Sequence, residues 1–139
     1  MKLYIHTDGG SRGNPGHSGC GVVIYDHTHT LIYQQSHYLG VKTNNEAEYI
    51  GLTYALDWLS QNYVGKSIEQ VYIYMDSQLI IRQMQGLYKV KSKNLQPYFA
   101  KAKEIIDRLP FPFTFIHVLR HKNKLADQLA NLAMDKGAN

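Results

Sequence analysis

The segment NNEAEYIGLTYALDWLSQN, Asn44 to Asn62, decides how the chain is read. Its apolar residues Ala47, Leu52, Ala55, Leu56 and Leu59 recur at helical spacing, which predicts an amphipathic helix with Thr43 or Asn44 as its N-cap. The period upstream is different. Lys2 to Asp8 is rich in β-formers and ends in Asp-Gly-Gly, a turn signal. Gly19 to Asp26 carries the run Val22-Val23-Ile24-Tyr25, and Thr30 to Leu39 reads as a third strand. The His27-Thr28-His29 corner suits a hairpin between those two.

Downstream of the helix, Val71 to Met75 is a near-continuous apolar run suited to the centre of a sheet. A short helix is expected from Gln78 to Gly86, and another from Asn94 to Arg108, entered through Gln96-Pro97. Phe113 to Leu119 reads as a fifth strand. Asn123 to Lys136 reads as a closing helix with Leu125, Leu129, Leu132 and Ala133 on its apolar face. Three strands, a helix, a strand, one or two helices, a strand and a helix predict an α/β fold. Its centre is a five-stranded mixed sheet, with an antiparallel meander extended by parallel strands and flanked by helices.

The 139 residues have the length of one domain, and their 44% apolar and 19% charged residues are those of a globular protein. A lone cysteine, Cys20 in an apolar run, excludes an intrachain disulfide and reads as core. No stretch has the length of a membrane span and no signal pattern opens the chain, so the cytoplasm is the expected location and no membrane partner is expected. The formal charge of +4 favours a polyanionic partner. From Ser77 to Lys103 there is no acid, while Arg82, Lys89, Lys91, Lys93, Lys101 and Lys103 are interleaved with Tyr88, Tyr98 and Phe99. A second basic run is Arg120, His121, Lys122 and Lys124. Such runs suit either solvated helix faces or phosphate neutralisation.

The acids are more selective. Asp8 and Asp76 stand where the first and fourth strands are expected to end, the place where α/β sheets gather ligands. Either Asp could also be a turn former or a helix cap. Glu48 shares a helix face with Leu52, Ala55, Leu56 and Leu59, so its carboxylate points towards the core, a costly place unless it is paired or binds a metal. Its bland role would be a first-turn acid favoured by the helix dipole. Glu46 falls on another face and is expected to reach solvent. Asp127 lies one turn into the last helix, where an acid also suits the dipole. Gathered together, four carboxylates without a Ser–His–Asp order or a thiol motif suit hard divalent cations and displacement at phosphorus.

Four motifs lie in order along the chain. They are Asp8-Gly-Gly-Ser-Arg-Gly-Asn-Pro-Gly16, Thr43-Asn-Asn-Glu-Ala-Glu48, Asp76-Ser-Gln78 and Asn123-Lys-Leu-Ala-Asp-Gln-Leu-Ala-Asn131. Together they resemble the type 1 ribonuclease H family over essentially the whole chain. The resemblance implies an endonuclease that cuts the RNA strand of RNA–DNA hybrids and leaves 3′-hydroxyl and 5′-phosphate ends. Asp8, Glu48, Asp76 and Asp127 would hold two Mg²⁺ ions, with Mn²⁺ as the alternative. Ser11, Asn14, Asn44, Asn45, Gln78 and Asn123 match substrate-binding positions, and Thr43 matches one that contacts a DNA phosphate.

The chain departs from the fullest family pattern twice. Gly86-Leu-Tyr-Lys-Val-Lys-Ser-Lys93 leads straight into the next helix, so the basic substrate handle is absent and the Lys89–Lys93 run is the candidate replacement. The loop Leu119-Arg-His-Lys-Asn123 is short, leaving Arg120 or His121 to assist catalysis, with Arg120 slightly favoured. A non-catalytic nucleic-acid-binding module of the same fold is the runner-up, and a retroelement or recombinase core the third reading. With a strand starting at Lys2, a free-standing, monomeric ribonuclease is expected. Double-stranded RNA is a second substrate that the sequence leaves open.

Overall fold

The computed structural model describes residues 1–63 and 65–138. The elements follow the expected order. They are β1 (Lys2–Gly13), β2 (Gly16–Tyr25), β3 (Leu31–Lys42), α1 (Asn44–Asn62), β4 (Gln70–Met75), α2 (Gln78–Met84), α3 (Gln96–Arg108), β5 (Phe113–His117), a 3-10 turn at Arg120–Lys122 and α4 (Lys124–Ala138). The sheet order is β3-β2-β1-β4-β5. β1 pairs antiparallel with β2 and parallel with β4, β2 pairs antiparallel with β3, and β4 pairs parallel with β5. This is the mixed α/β sheet that the change of period predicts.

Alternation sorts the sheet into two faces. Leu3 and Ile5 of β1, Ile24 of β2 and Ile73 of β4 join Tyr49, Leu52 and Leu56 of α1 and Ile80 and Ile105 of α2 and α3 in the main core. Cys20 is fully buried, as expected. α4 packs on the other face, against β1, β2 and β3. Among the described residues, no helix is long and apolar enough to cross a membrane.

Two expectations need correction. β1 does not end at Asp8. It continues to Gly13, and Asp8, Gly9 and Gly10 pair with Gly21, Cys20 and Gly19 of β2. The Asp-Gly-Gly run is therefore strand, and at Gly9 the glycine is required by the close approach of a helix. A Cβ there would stand 2.4 Å from the carbonyl carbon of Ala47 in α1. Glu46, secondly, does not simply reach solvent. It closes a capping box, its Oε1 accepting from the Thr43 N–H at 3.0 Å while Thr43 Oγ1 accepts from the Glu46 N–H at 3.2 Å. Its Oε2 accepts from the Tyr98 hydroxyl at 3.0 Å, tying α1 to α3.

Candidate active site

Parallel pairing of β1 with β4 runs to His6 opposite Tyr74, which carries Asp8 and Asp76 to the same level two residues further on. The bare backbone of Gly9 lets the first turn of α1 settle beside them, and Glu48 Oε1 accepts a hydrogen bond from the Gly9 N–H. One ligand oxygen from each of Asp8, Glu48 and Asp76 lies within 4.8 Å of the others. Glu48 is 5% exposed and Asp8 7%. The helix-face argument that selected Glu48 over Glu46 agrees with this placement.

Burial and mutual repulsion dominate the electrostatics. Asp8 is pushed up to about 7, first by burial and then by the charge of Asp76. Burial, followed by the charge of Asp8, holds Glu48 well above the usual carboxylate range. Asp76 is also raised, chiefly by burial, with Asp127 adding to the shift and Arg120 opposing it. Glu48 Oε2 is buried with no hydrogen-bond partner among the described residues. An unpaired carboxylate oxygen facing two further carboxylates is a costly arrangement that a bound cation would relieve. The all-oxygen donor set fits a hard divalent ion.

Asp127 reaches the site from α4. Its N–H donates to Asn123 O at 3.0 Å, and its carboxylate pairs with Arg120 at 3.1 Å. α4 comes close because β2 is bare at Gly19 and Gly21 beneath it: a Cβ at Gly21 would stand 2.3 Å from Ala126 O. All four carboxylates line one open groove of about 420 Å³.

The groove collects some of the expected polar residues and not others. Ser11, Asn44, Asn45 and Arg120 line it. Asn14 and Thr43, with Asn45 again, line an adjoining hollow together with Lys89 and Lys91. Asn44 Oδ1 accepts from the Ser11 N–H at 2.9 Å and Asn14 Oδ1 from the Asn44 N–H at 3.0 Å, fastening the β1–β2 hairpin to the start of α1. Gln78 is exposed at the start of α2 and lines neither hollow. His121 lines a different hollow, beside His6 and Tyr25. Asn123 is 1% exposed, with its amide donating to Thr7 O at 2.9 Å and its Oδ1 bonded to His6 Nδ1 at 2.9 Å. It is a buried brace between β1 and α4, outside the carboxylate groove and at the floor of the hollow that His121 lines. Sequence reasoning assigned no role to Arg12 or Asn131, yet both line the groove. Arg12 pairs with Asp135 at 2.7 Å and donates to Asn131 Oδ1 at 3.2 Å. Asn131 stands one helical turn after Asp127, and that spacing was the available signal.

The sequence profile described as Reverse transcriptase-like matches residues 6–133. Ribonuclease H of Ruthia magnifica subsp. Calyptogena magnifica is 31% identical over 154 aligned positions, covering 97% of each chain. The chain belongs to the ribonuclease H family. A crystal structure of LC11-RNase H1 in complex with RNA/DNA hybrid superposes with a TM-score of 0.93 at 45% identity, covering 99% of each chain. The bifunctional protein Rv2228c of Mycobacterium tuberculosis is 38% identical over 99% of this ribonuclease H-family chain. The chain spans only 37% of that relative's length.

Proposed function

We propose that this ribonuclease H-family chain is a divalent-metal-dependent endoribonuclease. It hydrolyses the RNA strand of RNA–DNA hybrids and leaves 3′-hydroxyl and 5′-phosphate ends. The observation that carries the reading is the unpartnered, buried Glu48 Oε2 beside Asp8 and Asp76. A protein that merely gripped phosphates would gain nothing from three gathered carboxylates, since they repel the ligand. Family membership and the likeness to a hybrid-bound RNase H1 support the choice of substrate.

Asp8, Glu48, Asp76 and Asp127 would hold Mg²⁺, with two ions expected and Mn²⁺ as the alternative. The cations would supply Lewis-acid activation of water and stabilise charge on the phosphate oxygens. The rest falls to the chain's own groups. Arg120, held against Asp127, presents a fixed positive charge at the groove edge for a phosphate oxygen. Asn14 and Asn44 each spend a side-chain oxygen inside the protein, so they chiefly offer amide N–H donors to a ligand. Ser11, Asn44 and Asn45 lie in the groove where 2′-hydroxyls of an RNA strand would be read. Thr43 and Asn14, with Lys89 and Lys91, lie where the paired DNA strand's phosphates would rest.

The test is cleavage of an end-labelled hybrid in Mg²⁺ or Mn²⁺, beside duplex DNA, single-stranded RNA, double-stranded RNA and an EDTA lane. Metal-dependent cutting of the hybrid's RNA strand is the expected result. Tight hybrid binding without cutting in either metal would instead establish a non-catalytic binding module.

A further inference from the structure

The sheet carries a second organised surface that the cleavage reading leaves unused. Tyr4 and His6 of β1, Tyr25 of β2 and Tyr72 and Tyr74 of β4 alternate with the core residues and so share the face that α4 occupies. α4 covers this face where it crosses Gly19 and Gly21, and the five rings beyond remain half-exposed. A solvent face of an ordinary sheet would be polar. Here the rings are ordered in two rows. Tyr4 stacks on Tyr72 at 5.3 Å, with His29 tilted against it at 5.0 Å. His6 stacks on Tyr74 at 4.7 Å, with Tyr25 edge-on at 6.1 Å. A hollow of about 250 Å³ lies among these rings. A second, of about 370 Å³, shares His6 and Tyr25 and opens towards His121, Lys122 and Lys124. No carboxylate lines either hollow among the described residues.

Chemistry and position both bear on what this face could hold. The chemistry pairs ring edges, phenol hydroxyls and imidazoles with lysines at one end. That combination suits unpaired bases carried on a phosphate backbone, whereas a duplex keeps its bases hidden. Position points the same way. Arg120 lines the carboxylate groove while Lys122, two residues on, lines the aromatic hollow. A strand leaving the groove therefore reaches the rings across a single 3-10 turn. We propose that this face binds the single strand, RNA or DNA, that continues beyond a hybrid held in the groove. The origin of that strand rests on the proposed function, whereas the surface itself does not.

The experiment measures affinity by fluorescence anisotropy in Ca²⁺. It compares a blunt hybrid with the same hybrid bearing an unpaired tail of about ten nucleotides, placed on each strand and at each end in turn. One tail polarity should bind about tenfold more tightly than the blunt hybrid. Tyr25→Leu with Tyr74→Leu should erase that gain, and so, separately, should Lys122→Gln with Lys124→Gln. Blunt-hybrid cleavage should be unchanged in both. The lysine pair lies at the exposed rim and its replacement needs no repacking, so it tests the surface even where the tyrosine variant folds poorly. Equal affinity for tailed and blunt hybrids in every polarity overturns the inference, even if the blunt hybrid is cleaved. A tail gain that survives the lysine variant overturns it too. A lysine-dependent gain without any cleavage keeps the surface and rejects the nuclease reading.

Discussion

Asp8 binds its proton up to about pH 7 in the folded chain, against an ordinary value of 3.8. Between those values the folded state holds a proton that the unfolded state has released, so stability falls as pH rises through the window and levels off above it. Glu48 and Asp76 shift in the same direction. Asp26, Glu46 and Glu69 are lowered, so their contributions change only in more acidic solution. In EDTA, the melting temperature should therefore be lower at pH 8 than at pH 5. Added Mg²⁺ should recover it at pH 8, and Asp8→Asn should flatten the dependence. His6 and His37, both lowered by burial, act in the opposite sense as the pH rises through their ordinary value of 6.5. The deciding quantity is therefore the difference from Asp8→Asn, and identical pH profiles for the two proteins would contradict the buried, mutually repelling carboxylates. Glu48→Gln should lower the cleavage rate at least about a hundredfold, while Glu46→Gln, which keeps an acceptor for the cap, should retain most activity. Loss with Glu46→Gln but not with Glu48→Gln would reverse the helix-face assignment. Arg120→Ala should slow cleavage and His121→Ala should not, because only Arg120 lines the carboxylate groove. Single-turnover rates on one hybrid measure all of these variants together.

The elements meet at glycines, and this makes Gly9→Ala a test of how α1 is seated. The new methyl would stand 2.4 Å from the Ala47 backbone, and backbone cannot swing aside as a side chain does. Overpacking of this kind costs roughly 1–3 kcal/mol. The displacement also moves Glu48, whose Oε1 is held by the Gly9 N–H. Gly9→Ala should lower the urea midpoint and reduce cleavage further than the stability loss explains. Gly10→Ala, which meets only side-chain atoms, of Met134 at 3.4 Å and Asn44 at 3.8 Å, should leave the midpoint nearly unchanged. Equal midpoints for the two variants would refute the close-approach argument. The same glycines mark the limit of what the sequence could tell. Helix and strand periods predicted the five strands and four α-helices in order but not the 3-10 turn at Arg120–Lys122, and the face of α1 singled out Glu48. Gly9-Gly10, however, reads locally as a turn, because propensity reports what a glycine permits and not which neighbour demands it. The burial of Asn123 was equally illegible. An Asn ahead of a helix looks like a cap or a ligand contact until His6 and Thr7, more than a hundred residues away, are brought against it.

Across the whole molecule, the net charge of +4 is a weak signal that its distribution sharpens. The acid-free stretch from Ser77 to Lys103 crosses the segment between α2 and α3, where relatives of fuller pattern carry a basic handle. Here that segment turns back against the body. Lys89 and Lys91 line the hollow that also holds Asn14, Thr43 and Asn45, next to the carboxylate groove, whereas Lys93 does not. Two lysines placed at the phosphates of one strand would displace counterions there without touching the scissile bond. Replacing both by Gln should weaken hybrid binding and reduce the slope of log affinity against log salt by roughly two. The KM should rise while the rate at saturating substrate stays level, because the charges act in binding and not in bond cleavage. Anisotropy titrations of a blunt hybrid across a salt series in Ca²⁺ give the slope directly. An unchanged slope would mean that these lysines are solvated charges, and that the chain grips its substrate with the hairpin and the start of α1 alone.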